Sequence, residues 1–353
     1  MAAEPLDLTL ELSARARFEV VELRSRLSRE HRHALLSYPR CLYWSAHTTA
    51  GFLDRSLIQQ LGSGRIADYV DTLRRIFPER AGYAHDRLER RRDLDEAQRA
   101  VEPCNGDSHL AFIAGALRPC VIHPNRSGET VCFVDLDGMN EGRPRRRLTR
   151  VIGFHREVVA GQMRLRVPLS AHPIDSINLK DPRLGLYAQL AEFVARAGIG
   201  KGRLHIALGR GERDAGLTIN EFETLLMKHD LAAVLRNPLR FMAEGTRRAL
   251  MNPRAVPEKV AGYARYDLVR VLNSGLDTLG LHGSRLERLF AALLAVPAAR
   301  MFRIRRAISL LVAEHPDGHA GPVEGAYQSP ILIQCRRAPG DVRELDVTLY
   351  RLE

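Results

Sequence analysis

The stretch SAHTTAGFL, residues 45–53, decides how the chain is read. It follows the apolar run Cys41, Leu42, Tyr43, Trp44, which reads as a buried strand. The strand closes in a histidine, two threonines and small residues. An imidazole in that place is either a satisfied core group or a group aimed at a ligand. Working outward, residues 7–20 alternate apolar and polar through Leu8, Leu10 and Leu12, the pattern of a half-buried strand. Residues 20–36 read as a helix. A second helix is expected over 64–77, with Ile66, Tyr69, Val70, Leu73 and Phe77 on one stripe and Pro78 ending it. Residues 79–108 are polar and irregular, a length of loop that is commonly functional or disordered. A helix over 108–117, a strand at 119–123, a turn over 124–128, a strand within TVCFVDLDG and a last strand, RRRLTRVIGF, complete the first 154 residues.

From about residue 155 the pattern starts again. GQMRLRVPLS and GRLHIALG read as strands, and DPRLGLYAQLAEFVARAG as a helix. Thr218 and Glu221 read as a capping box before a helix, EFETLLMKHDLAAVL. Residues 230–312 read as mostly helical, including RIRRAISLLVAE. Two closing strands flank a Pro-Gly-Asp turn.

The bulk numbers bound the class. The 353 residues are 45 % hydrophobic and 27 % charged, enough for two soluble domains. No apolar run approaches the ~18 residues of a membrane span, and the first residues lack the apolar stretch of a signal peptide. Five cysteines with no CxxC pair read as reduced thiols of a cytoplasmic protein. The net charge of +11 admits nucleic acid, a phosphorylated small molecule or an acidic protein as partner. Only four of the 53 basic residues are lysine, so a composition shaped by a GC-rich genome accounts for the same excess.

Three histidines stand out in the first 154 residues: His47 in AHTTA, His85 in GYAHD and His109 in NGDSHL. Three imidazoles and a water make an open metal site, with Zn²⁺ the first expectation. Taken singly, each is as well explained as a hydrogen-bonded structural group.

The order of motifs adds a resemblance. LTLELSARAR, AHTTA, FPERAGYAHD, NGDSHLAFIAGALRP and SGETVCFVDLDG with PRRRLTRVIG resemble, in sequence, the YjbQ/UPF0047 family, often labelled secondary thiamine-phosphate synthase. The match covers about two fifths of the chain. It implies an α+β fold with a mixed sheet, a homotrimer and a histidine-lined site that couples a pyrimidine diphosphate to a thiazole phosphate. It carries over His47, Thr48, Asp71, His85, Asp86, Asp107, Ser108, His109, Gly128, Asp137 and Arg145. On that basis His47, His85 and His109 are the metal ligands. Thr48 and Ser108 offer hydroxyls to a phosphate, and Asp86 and Asp107 orient imidazoles or act as a base. Arg145 and Arg147 clamp a phosphate, with Asp71, Gly128 and Asp137 beside them.

Two departures from the family alter its pocket. Its Asn-Glu-Asn segment after the histidine motif reads Asp54, Arg55, Ser56, Leu57 here, and its Gly-Thr-Trp-Gln reads Glu129, Thr130, Val131, Cys132. The second half resembles the same family at its ends, in RLRVPLSAHPIDSIN and ILIQCRRAPGDVRELDVTLYRL. The expected division is therefore residues 1–154 as the catalytic domain and 155–353 as a degenerate second copy with a helical insertion at about 220–312. An unrelated helical domain is the competing reading. The loop GRGERDAG offers a weak anion cradle; His315 and His319 lie in a loop, and His172 and His205 read as structural.

The functional expectation is a metal-dependent enzyme of a phosphorylated or anionic small molecule, catalysing transfer, hydrolysis or elimination. The rival is a non-catalytic nucleic-acid-binding or scaffolding protein, which a steep salt dependence of polynucleotide binding would favour.

Overall fold

The computed structural model describes residues 4–236, 304–315 and 318–353. The first assembly opens with β1 (Leu6–Ser13), whose alternating burial follows its alternating sequence. β2 (Glu19–Glu22) runs into the short helices α1 (Leu23–Arg26) and α2 (Arg29–Leu35); the Ser28 side chain caps α2 by accepting from His31 N–H. Then come β3 (Arg40–Ser45), β4 (Ala50–Phe52), α3 (Arg55–Leu61) and α4 (Ile66–Ile76), which stops at Phe77 just before Pro78. α5 (Glu96–Val101) carries a reciprocal cap between Asp95 and Gln98. α6 (Gly106–Ala114), β5 (Cys120–Pro124), β6 (Cys132–Asp135), the pair β7 (Met139–Asn140) and β8 (Arg143–Pro144), and β9 (Arg146–Phe154) follow.

The second assembly contains β10 (Glu157–Pro168), β11 (Asp175–Asn178), α7 (Leu186–Ala197), β12 (Lys201–Leu208) and β13 (Ala215–Asn220). A π-helical turn (Leu225–Asp230) leads into α8 (Leu231–Arg236). β14 (Ala307–Glu314), β15 (Ala320–Val323), β16 (Ser329–Gln334) and β17 (Val342–Leu352) close the chain.

The fold is α+β. Every named strand pair in the larger sheets is antiparallel, where a mixed sheet was expected. The sheets run β1-β9-β3-β5 with β2-β6-β4, and β10-β17-β12-β14-β15 with β11-β16-β13. Counted from the start of each assembly the two orders agree, apart from the added β15. The registers agree too. Ala50 faces Asp135, which faces Glu19; Ala215 faces Gln334, which faces Asp175. Isolated bridges join Phe52 to Arg118 and Leu217 to Arg305.

The assemblies share their core. Leu42, Trp44 and Ile152 pack with Leu311 and Leu352. The helices α3, α4 and α6 pack with Leu226, Met227, Leu231, Ile331 and Ile333. At about 1.5–3 kcal/mol for each fully buried large apolar side chain, separating them would be costly. α6 is buried on nearly every side, so its polar residues Asp107, Ser108 and His109 lie inside the protein.

Three expectations are corrected. Residues 19–22 are a strand, not helix. RIRRAISLLVAE forms β14: six successive buried residues look alike in a buried helix and a strand covered on both faces. Thr218 does not cap a helix; it sits inside β13 opposite Ile331. The helical insertion at about 220–312 falls mainly on residues 237–303, outside the described residues. Among the described residues, no helix is long and apolar enough to cross a membrane. The five cysteines form no disulfide.

Candidate metal centre

His85 and His109 meet at the junction of the two assemblies. His109 rides on α6, and His85 lies in the long segment between α4 and α5; both are essentially fully buried. Their ring centroids are 5.1 Å apart. The second assembly adds Asn220, the last residue of β13, with Glu221 and Glu223 just beyond it. Ligand atoms of His85, His109 and Glu221 all lie within 4.8 Å of one another.

Hydrogen-bond accounting fixes the protons. Asn220 Nδ2 donates to the Thr48 carbonyl (3.0 Å), and Asn220 Oδ1 accepts from Glu221 N–H (2.8 Å). The oxygen facing His109 Nδ1 at 2.7 Å must therefore receive a proton from that nitrogen. Burial holds the His109 ring neutral, with its pKa well below the ordinary value. Its Nε2 is then a lone pair, and it faces Glu221 Oε2 at 3.5 Å. Two acceptors face each other in a buried place, an arrangement that calls for a cation or a proton between them.

His85 is set differently. Asn105 Nδ2 donates to Asp137, so Asn105 Oδ1 faces His85 Nε2 at 3.2 Å. Glu223 Oε2 lies 3.1 Å from Nδ1. Burial alone would lower the His85 pKa, but the Glu223 hydrogen bond and the Glu221 charge outweigh it and the pKa is raised. Both ring nitrogens face an acceptor, and Arg91 Nη1 also lies 3.2 Å from Nδ1. A cation at Nε2 would leave Nδ1–H to be held by Glu223. Glu223 is itself fixed by the amides of Leu225 and Leu226 at 2.7 and 2.8 Å. Arg91, 1 % exposed, holds Glu221 Oε1 at 3.0 Å, leaving Oε2 turned to His109.

His47 is not in this group. Its Nε2 accepts from the Leu148 amide at 2.8 Å, and burial with the nearby Arg147 and Arg145 charges lowers its pKa to about 3. The opening histidine is thus a neutral acceptor closing β3 onto β9, and the expected third imidazole is replaced by a carboxylate from the second assembly.

The other expected residues divide by what they already bind. Asp86 Oδ1 accepts from Gly106 N–H, fixing the start of α6. Ser108 Oγ donates to the Leu136 carbonyl at 2.5 Å. Thr48 presents its carbonyl to Asn220. Asp137 binds Asn105 and Arg145. Arg147 is buried, with Nε and Nη2 spent on Asp135 at 2.8 Å and Nη2 also on the Asp137 carbonyl. Arg145, about one third exposed, is paired with Asp137. Asp71 lies on the surface of α4 beside Arg74 and Arg75, and Gly128 (φ +80°) serves a turn; neither meets the cluster. Asp107 keeps one free atom. Arg17 binds Oδ1 at 2.7 Å, while buried Oδ2 has no partner, and burial raises its pKa to about 7. Of the weaker expectations, Glu212 of GRGERDAG is bound by Arg343. His315 N–H closes a turn onto His319 O, and His205 lies beside Ser309.

The sequence reading missed Asn220, Glu221, Glu223, Asn105 and Arg91. A signal was present. Ala215, Gly216, Leu217 repeats Ala50, Gly51, Phe52 in kind, and the Asn-Glu pair absent after Ala50 stands after Ala215 as Asn220 and Glu221.

No family model matches the chain, and no curated protein matches it. Similar solved structures include a YbjQ-like protein of unknown function from Sulfolobus solfataricus P2, at 14 % identity, covering 56 % of this chain and 99 % of that one with a TM-score of 0.30. A hypothetical protein from Aeropyrum pernix K1 has 15 % identity, 55 % and 99 % coverage, and a TM-score of 0.30. An uncharacterized conserved protein of the YjbQ/UPF0047 family from Clostridium acetobutylicum has 13 % identity, 53 % and 98 % coverage, and a TM-score of 0.25. Two of the solved structures to which this chain is similar are thus described as a YbjQ-like protein and a YjbQ/UPF0047 family protein.

Proposed function

We propose that this chain is a metal-dependent enzyme with one divalent-cation centre, held by His85 and His109 from residues 1–154 and Glu221 from residues 155–353. We read the two parts as related copies sharing one site. The observation that carries the proposal is the His109 Nε2 lone pair facing Glu221 Oε2 at 3.5 Å. Two imidazoles and a carboxylate suit Zn²⁺ with a position left open.

When bound, such an ion supplies Lewis acidity toward a substrate oxygen or a water. The chain's own residues do the rest. Glu223 and Asn220 fix the two rings through their Nδ1 protons, and Arg91 fixes the carboxylate. Asp107, with its raised pKa and free Oδ2, is the residue left to move a proton near neutral pH. The substrate class we retain is a small anionic molecule, with Arg145 as the phosphate contact once it parts from Asp137; hydrolysis, elimination and group transfer all use these parts.

Elemental analysis of protein purified from zinc-supplemented medium tests this. About one metal per chain is expected, falling to a small fraction in His109→Ala and Glu221→Gln and surviving in His47→Gln. A metal-free wild-type protein, or content unchanged in both cluster variants, overturns the proposal. In that case a proton shared by His109 and Glu221 accounts for the contact.

A further inference from the structure

Away from the metal centre, a second polar group lies where the assemblies meet. A cavity of about 10 Å³ there is lined by Arg118, Arg305, Thr218 and Ser309 among apolar neighbours. That volume is about the least that holds one water-sized particle. The two arginines occupy matching places. Arg118 stands two residues before β5 and Arg305 two residues before β14, and each makes the equivalent backbone bridge, to Phe52 and to Leu217. Their side chains come together because the assemblies pack here.

The donors are not all met. Arg118 Nε, Arg305 Nε and Arg305 Nη2 are buried without partners. Among the described residues the facing carboxylate is Asp54, 3.2 Å from Arg118 Nη2. Arg203 brings a third positive charge, spent on Glu157 at 2.7 Å and Ser309 Oγ at 3.0 Å. Burial lowers the Arg118 pKa, and the Arg305 and Arg203 charges add to that, while Asp54 opposes it. Among the described residues, two guanidiniums and one carboxylate leave an excess positive charge and three unmet N–H groups around this small space. Leaving such groups unpaired is costly, and an anion meets both deficits.

We propose that this cavity binds a single small anion of halide size between Arg118 and Arg305. The anion joins the start of β14 to the start of β5, beside β13, the strand that ends in Asn220.

Bromide tests the proposal directly. Crystals of the full chain equilibrated in sodium bromide should give an anomalous peak between the two guanidiniums, and crystals of Arg305→Gln should not. In solution, replacing gluconate by chloride at constant ionic strength should raise the wild-type melting temperature by about 2 °C or more relative to the same change in Arg305→Gln. A wild-type map with bromide elsewhere but none in the cavity overturns the proposal, and needs no variant to fold. A peak in the cavity without the solution difference marks an adventitious ion only, and equally overturns it.

Discussion

Residues 6–154 and 157–352 share a strand order and a register, yet treat one position in opposite ways. In the first assembly the residue three before Ala50 is His47, whose Nε2 accepts from Leu148 N–H. In the second the residue three before Ala215 is Glu212, whose Oε1 accepts from Glu344 N–H at 2.9 Å. Each lies near a buried arginine, Arg147 or Arg343, two residues before the matching strand partners Thr149 and Leu345. Arg147 is held by Asp135, whereas Arg343 is held by Glu212 itself at 2.6 Å. Neutral histidine leaves a polar strand end beside the cluster; the carboxylate turns the same place into a closed ion pair. The acidic residues of the cluster compensate in the other direction, since Glu221 and Glu223 stand where the first assembly has Ser56 and Ile58. The same strand order thus carries the imidazoles in the first assembly and the carboxylates in the second.

The largest effect expected from breaking this comparison is on the buried arginines. Arg147→Met and Arg343→Met should each cost about 3–5 kcal/mol in chemical denaturation, because each strands a carboxylate inside the protein. A loss in Arg147→Met with little change in Arg343→Met would mean that the two frameworks are not energetically alike.

Next comes acid. The His47 pKa of about 3 lies below the ordinary 6.5, so the unfolded chain takes up this proton first as pH falls. The contribution is present above about pH 6.5 and lost as pH drops toward 3, by roughly 2–4 kcal/mol. His47→Gln, which keeps an acceptor for Leu148 N–H, should flatten wild-type stability across that window; an unchanged pH profile would remove His47 from the account.

A smaller effect sharpens the carboxylate side. Glu223→Gln should weaken Zn²⁺ affinity about 10–100-fold in a chelator competition, as expected when the group orienting a ligand imidazole is weakened. Ile58→Ala, at the matching place in the first assembly, should leave that affinity unchanged once stability is allowed for.

Much of the frame is legible in the residues. Alternation gives β1, the apolar run gives β3, and the stripe ending at Pro78 gives α4. β14 is misread because strands covered on both faces lose their alternation. At the site, His85 and His109 are legible as isolated histidines in polar surroundings. Their partners are not, since Asn220 lies 111 residues from His109 and Glu223 lies 138 from His85, a distance that only packing closes. His47 is legible as a special residue, but the amide that claims its lone pair belongs to Leu148, on a strand 101 residues away.

The claim that two unlike halves hold one cation is tested most directly by anomalous diffraction at the zinc edge, from crystals of the full chain equilibrated with Zn²⁺. The account predicts a peak about 2.0–2.2 Å from a nitrogen of His85, Nε2 of His109 and Oε2 of Glu221. A peak bound by His47 instead, or a zinc-free junction in crystals that hold zinc elsewhere, would contradict it.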